Sequence, residues 1–472
     1  MRARLAAALA LSLAAACGER AAPPSPAPTA APTPSFARPN VVLLTIDTLR
    51  ADHLGLHGYH RKTSPRLDAL ARDAAVFERA YTYWPKTRGS FVALLTGRRD
   101  SQTGYSKTHP VLLGFNPTLA GVLKQAGYRT AAVVDNGNLA RDHGYAEGFE
   151  HYRETWQEAD LETEMDRTRA ITAEAVRTLR EAGRDRPFFL WLHYVNPHAP
   201  YEPPPPFDTA FLDEEARGGP ALPLVAGFRG GIPQRWARPG RRTLGFYVAQ
   251  YDGEIAAVDR EVGEVLDALR DSGHAEDTLL VVTSDHGESL GEHDYYFDHG
   301  EDLFEPSLRV PLIVRGPGIP RGRRVEALAS LLDVVPTVLD AVKVSYPPDL
   351  SGKSLLPLAT ATGELERDRL FARNDRGASA TWDARHRLVA RPVRGGARFG
   401  LYELPAEARD VSAAQPEAAR RHRRELELFL ERADREWPHA RARAGDAPPA
   451  AALTPEACEN LKALGYVQHC GR

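Results

Sequence analysis

Asn40-Val41-Val42-Leu43-Leu44-Thr45-Ile46-Asp47 is an apolar, β-branched run closed by a carboxylate. A run without polar alternation suits a strand covered on both faces, as parallel sheets are. The same layout returns at Leu279-Leu280-Val281-Val282-Thr283, followed by Ser284-Asp285-His286-Gly287-Glu288. Working outward, the pattern predicts further strands at 130–134, 188–194 and 311–314, with helices at 65–75, 119–126, 166–182 and 255–272 between them. Strands alternating with helices predict an α/β fold, a mostly parallel sheet sandwiched by helices. Ligands of such sheets gather at the carboxyl ends of the strands. Asp47, Asp285 and His286 would therefore bring hard oxygen donors and one imidazole to one edge, a set suited to a divalent cation. Thr87, in Thr87-Arg88-Gly89-Ser90 running into Leu94-Leu95-Thr96-Gly97, offers a hydroxyl for that cation to activate. Each residue also has a plainer reading, Asp47 as a turn residue and Thr87 as the cap of a helix over 90–95.

These segments, in order, resemble the sulfatase branch of the alkaline-phosphatase superfamily. The likeness continues through Pro187-Phe188-Phe189-Leu190, Asn196-Pro197-His198-Ala199-Pro200-Tyr201 and Tyr251-Asp252-Gly253-Glu254. It ends with Arg309-Val310-Pro311-Leu312-Ile313, Leu332-Asp333-Val334-Val335-Pro336-Thr337 and Leu461-Lys462-Ala463-Leu464-Gly465-Tyr466-Val467. The resemblance implies Asp47, Thr87, Asp285 and His286 around a metal ion, with Thr87, His198 and His299 as catalytic groups. Asn136 falls where phosphodiesterase relatives place a substrate contact, and a turn asparagine is the other reading.

The departures narrow the chemistry. Sulfatases of this kind begin their nucleophile segment with Cys or Ser, which is oxidised to formylglycine. That slot holds Thr87, the family's Pro slot holds Gly89, and the Arg slot holds Phe91. Threonine carries a methyl on Cβ and cannot become the aldehyde, so the expected enzyme is independent of formylglycine, with the Thr oxygen itself as nucleophile. Thr48 stands where calcium-binding relatives have a second aspartate, which moves the expected metal from Ca²⁺ toward Zn²⁺ or Mn²⁺. The family's substrate-side lysine is missing before Leu303, and His299 is the residue expected to take over its contact. The activity so implied is hydrolysis of a sulfate or phosphate ester. The alternatives are transfer of a phosphoglycerol or phosphoethanolamine group to an envelope glycan, and a noncatalytic binding protein. The substrate expected is a small-molecule or glycan anionic ester.

Sixty basic and 63 acidic residues give a net charge of −3, which supplies no drive toward nucleic acid. The N-terminus carries Arg2 and Arg4, a short apolar stretch, and Ala14-Ala15-Ala16-Cys17-Gly18, which resembles a bacterial lipoprotein cleavage box. The expected layout is a signal peptide at 1–16, and lipidated Cys17 with a Pro/Ala-rich tether at 17–39. A catalytic domain at 40–360, a C-terminal α+β subdomain at 361–440 and a tail at 441–472 complete it. A lipoprotein of this kind is membrane-anchored and extracytoplasmic, in the periplasm or on the outer membrane of a bacterium. Of the three cysteines, Cys458 and Cys470 then remain to form a bridge in an oxidising compartment.

Overall fold

The structure, a computed structural model, describes residues 38–445 and 454–467. The expected signal peptide, Cys17, most of the expected tether and Cys470 lie outside the described residues.

The central sheet has nine strands, and the buried runs of the sequence mark five of them. In chain order they are β1 (Asn40–Ile46), β2 (Ala75–Tyr81), β3 (Arg129–Val134), β4 (His151–Glu154), β5 (Phe188–Tyr194) and β6 (Thr278–Ser284). β7 (Arg309–Val310), β8 (Leu312–Arg315) and β9 (Arg323–Ser330) follow. Their spatial order is β7-β2-β8-β6-β1-β5-β3-β4, with β9 alongside β2. β6, β1, β5, β3 and β4 form a parallel block, whereas β8 runs antiparallel to both β6 and β2. β1 lies inside that block, and every one of its residues is buried. Ile46 pairs with Tyr194 on one side and Ser284 on the other, a register that brings Asp47 and Asp285 to the same edge.

Successive residues of a strand face opposite sides of the sheet, and the two apolar layers sort accordingly. Val41, Leu43, Trp191 and Val281 pack with helices α1 (Thr87–Thr96) and α4 (Val334–Ala341). Val42, Leu44, Leu192 and Val282 pack with α2 (Glu164–Glu181) and α3 (Leu244–Asp271). Two elements differ from the sequence expectation. The helix expected over 65–75 ends at Ala71, because the apolar run from Ala75 is a strand of the sheet, β2. α3 begins at Leu244 rather than 255, since Phe246, Tyr247 and Tyr251 extend its buried face toward the N-terminus. The stretch 203–243 carries only short helices and two-residue strands.

A four-stranded antiparallel sheet, β10 (Leu370–Arg373), β11 (Ser379–Trp382), β12 (His386–Val393) and β13 (Gly396–Glu403), forms the small C-terminal subdomain with helix α5 (Pro416–Gly445). Phe371 stacks on Phe429 of that helix at 4.3 Å between ring centroids. Arg387, wholly buried, pairs with Glu305 of the main body and with Glu407, at 2.6 Å each. A last helix, α6 (Pro455–Ala463), contains Cys458, which is disulfide-bonded. Among the described residues no helix is long and apolar enough to cross a membrane.

Candidate active site

The carboxyl edge of β1 and β6 is shaped by a strained turn. Thr48 sits in the left-handed backbone region (φ 54°), unusual for a β-branched residue. Tyr251 holds the turn there: its hydroxyl donates to the Thr48 carbonyl at 2.7 Å and accepts from the Arg50 amide at 3.0 Å. Leu49 N donates to Ser284 Oγ at 2.9 Å, tying the turn to the end of β6. The clasp fixes where Asp47 points and gives the Tyr251 segment its purpose. Its neighbour Asp252 is buried among His53, Tyr59 and Arg61.

Asp47, Asp285 and His286 come together with one ligand atom from each within 4.8 Å of the others, all three wholly buried. His286 Nε2 is 3.3 Å from Asp285 Oδ2 and 3.7 Å from Asp47 Oδ1. His286 Nδ1 faces the Gly287 carbonyl at 3.1 Å, which leaves Nε2 for the cluster. Gly287 is required beside it, because a Cβ there would come within 2.0 Å of the Pro306 carbonyl oxygen. Asp47 Oδ1 and Asp285 Oδ2 have no hydrogen-bond partner among the described residues. Burial pushes Asp47 up to about 7 and Asp285 well above the usual carboxylate range, the latter also through repulsion from Asp47. Burial likewise lowers His286 to about 3. Two buried carboxylates with orphaned oxygens facing an unprotonated imidazole nitrogen are the donor set a divalent cation needs. The residues present fit a metal ion.

Thr87 opens α1, with its oxygen 3.3 Å from His286 Nε2. It is the first helical residue: Lys86 is the N-cap, and no side-chain hydrogen bond caps the helix. The capping alternative for Thr87 is therefore a correction; its hydroxyl faces the cluster instead. Ser90, one turn on, donates to the Asp285 carbonyl at 2.6 Å, anchoring α1 to the strand end that carries the carboxylate. Gly89, in the family's Pro slot, faces the Trp84 indole so closely that a Cβ would lie 2.4 Å from it.

His198 and His299 have ring centroids 5.1 Å apart, and the His299 ring lies 4.1 Å from that of His286. His198 Nδ1 donates to the Ala199 carbonyl at 2.7 Å, and His299 Nδ1 lies 3.2 Å from Glu288 Oε1. Both therefore turn Nε2 to the same point. Burial holds His198 near 4 and His299 well below the ordinary histidine range. Asn136 is not aimed at open space: its Nδ2 donates to Asp47 Oδ2 at 2.7 Å while its Oδ1 accepts from Asn138 N, so it combines the turn role with a hold on Asp47.

Four residues of this site were missed from the sequence. His193, on β5, brings an unpartnered Nε2 to 3.6 Å from Asp47 Oδ2. Glu288 is the buried partner of His299. Lys86 sits just before Thr87, its ammonium 5.7 Å from the Tyr466 ring centroid. Tyr466, from the far end of the chain, places its hydroxyl 2.8 Å from Thr87 Oγ1, 3.1 Å from His198 Nε2 and 3.2 Å from His299 Nε2. His193 was legible as the inward polar residue of an otherwise apolar strand. Nothing local to 466 marks it as a site residue. Of the other histidines, His57 lies 3.1 Å from Glu78 and His293 stacks on Phe304, both away from the cluster.

A mixed α/β sheet with a buried acidic–imidazole cluster at the strand ends, facing a hydroxyl at a helix N-terminus, defines an ester hydrolase of the alkaline-phosphatase type. The sulfatase family model matches residues 39–344, well over half of the chain, and the protein belongs to the sulfatase family. Among its relatives, an arylsulfatase of Clostridium perfringens is 25% identical over 424 residues, covering 75% of this chain and 84% of its own. The human N-sulphoglucosamine sulphohydrolase is 29% identical over 353 residues, covering 69% of this chain and 67% of its own. In fold, the chain is similar to the phosphonate monoester hydrolase of Agrobacterium radiobacter, with a TM-score of 0.69 at 24% identity over 84% of this chain and 96% of that one. It is similar to a protein whose structure was solved in complex with its substrate D-glucosamine-2-N,6-O-disulfate, with a TM-score of 0.70 at 20% identity over 85% of this chain and 98% of that one.

Proposed function

We propose that this sulfatase-family hydrolase cleaves anionic sulfate or phosphate esters with Thr87 as its nucleophile and without formylglycine. The observation that carries the reading is Thr87 Oγ1 at the start of α1, 3.3 Å from His286 Nε2 and beside the Asp47–Asp285–His286 cluster. Asp47, Asp285 and His286 would hold the divalent cation, with Zn²⁺ or Mn²⁺ favoured over Ca²⁺ by the imidazole. That ion would supply the positive charge that lowers the pKa of a neighbouring hydroxyl and draws electron density from the sulfuryl or phosphoryl group.

Thr87 Oγ1 then forms a bond to sulfur or phosphorus as the bond to the ester oxygen breaks. Its place at the N-terminus of α1 favours the anionic form. The departing oxygen takes the Nε2 proton of neutral His299 as Glu288, held by burial well above the usual carboxylate range, passes its own proton to Nδ1. His198, backed only by a carbonyl, serves as a neutral hydrogen-bonding contact for a nonbridging oxygen. Neutral His299 next accepts a proton from the water that attacks the Thr ester, releasing the anion and restoring the enzyme.

The threonine favours phosphate esters, phosphodiesters above all, while the arylsulfatase among the relatives favours sulfate esters. Assaying the purified protein against an aryl sulfate, a phosphate monoester and a phosphodiester, with metal analysis, decides between them. Thr87→Ser is expected to keep measurable activity and Thr87→Ala to lose it; full activity in Thr87→Ala would refute the reading. A separate proposal, from sequence alone, is that Cys17 is lipidated and anchors the enzyme outside the cytoplasm. Identical processing and membrane retention of Cys17→Ser would contradict it.

A further inference from the structure

Thr87 is wholly buried, which is incompatible with a bulky ester reaching it. Two cavities adjoin the site, of about 340 and 320 Å³, and Thr87 lines neither. Tyr466, Lys86, Asp375 and Arg376 line both, so the C-terminal segment runs between them as a partition. Its phenol oxygen, 2.8 Å from Thr87 Oγ1 and within hydrogen-bond reach of both histidines, stands where a tetrahedral sulfur or phosphorus group would put one of its oxygens. A reacting centre must come to about 3–3.5 Å from the nucleophile. The phenol and that centre compete for one place.

The attachment of the segment is slender beside the sheet it covers. Asn460 Oδ1 accepts from Gly137 N at 2.8 Å, and Arg235 donates to the Gly465 carbonyl at 3.0 Å. Ala457, Cys458, Leu461 and Leu464 supply its buried apolar contacts. Gly465 makes the turn that aims Tyr466 inward: its φ is +79°, and a Cβ there would lie 2.8 Å from the Trp236 ring.

We propose that residues 454–467 form a tethered plug, in which the Tyr466 hydroxyl fills the oxyanion position and substrate binds only when the segment withdraws. The proposal rests on the reading of Thr87 and the two histidines as the reacting site. Withdrawal would join the two cavities into one cleft in which Lys86, Arg88, Lys107, Arg235 and Arg376 outnumber Asp298, Glu301 and Asp375, a net positive lining suited to an anionic ester. An enzyme whose open form is a minor fraction binds its ligand more weakly by that fraction.

The test is calorimetric titration of inorganic phosphate and of inorganic sulfate into the full chain and into Tyr466→Phe, Tyr466→Ala and Gly465→Ala. Tyr466→Ala is expected to bind one or both anions at least about tenfold more tightly than wild type. Tyr466→Phe should fall between them, and Gly465→Ala, outside the reacting groups, should shift in the same direction. With an ester substrate, KM should fall without a matching loss in kcat. Unchanged, weaker or undetectable anion binding in Tyr466→Ala overturns the plug, as does a drop in kcat with anion affinity unaltered, which would make Tyr466 part of the chemistry. Anion binding needs no turnover, so tighter binding in Tyr466→Ala alongside full activity in Thr87→Ala would refute the nucleophile and leave the plug standing.

Discussion

The floor of the site and its roof are built in opposite ways. The floor comes from the ends of neighbouring strands, where sheet register sets Asp47 beside Asp285 and backbone clasps from Tyr251, Ser284 and Ser90 fix both. The roof is one segment that returns from the end of the chain and touches the reacting groups through a single phenol. Groups held by a sheet stay in place through a reaction, whereas a segment attached by few contacts can open locally. The contrast teaches that the charged chemistry belongs to the rigid part and access to the loose one.

The largest effect should come from the boundary between the two. Thr87→Ala and Thr87→Val are expected to lose a thousandfold or more in kcat/KM, on the order of other nucleophile deletions, and Thr87→Ser to retain measurable turnover. Coexpression with a formylglycine-generating enzyme should change nothing. Next, replacing Asp285 or His286 with Ala should strip the bound divalent ion, read by elemental analysis of the purified protein. Unchanged metal content in both variants would break the assignment of the floor.

Smaller effects sharpen it. Asn136→Ala removes the hydrogen bond that orients Asp47 and should weaken metal binding about 10–100-fold, measured by competition with a chelator. The burial of Asp47 gives a pH test. Its folded pKa of about 7 lies above the unfolded value of 3.8, so the metal-free fold binds the extra proton and loses this stabilisation as pH rises from about 4 through 7. A divalent ion replaces that proton. Adding it should therefore raise Tm more at pH 8 than at pH 5, and an equal rise at both would contradict the cluster as the binding site.

The same contrast explains what was legible. Buried parallel strands announce themselves as unbroken apolar runs, so β1, β5 and β6, with the carboxylates that close β1 and β6, were readable directly. β2 was hidden because Glu78 and Arg79 interrupt its pattern and a helical stretch leads straight into it. Asp47, Thr87, Asp285, His286 and His198 lie in segments whose order resembles the family, His299 lies in a stretch that departs from it, and the structure brings all six to one place. Glu288 acts through a neighbour, a relation that no local spacing encodes, whereas His193 stands out as a polar residue in a mostly apolar strand. Tyr466 is almost 380 residues from Thr87, and only the three-dimensional path of the chain joins them.

The central claim is that Thr87 carries the covalent bond to the transferred group. Mass spectrometry of a digest from an acid-quenched reaction tests it most directly. A sulfuryl or phosphoryl adduct is expected on the peptide containing Thr87, localised to that residue by fragmentation and absent from Thr87→Ala. An adduct on Ser90 instead, or no adduct anywhere while Thr87→Ala turns over at the wild-type rate, would contradict it.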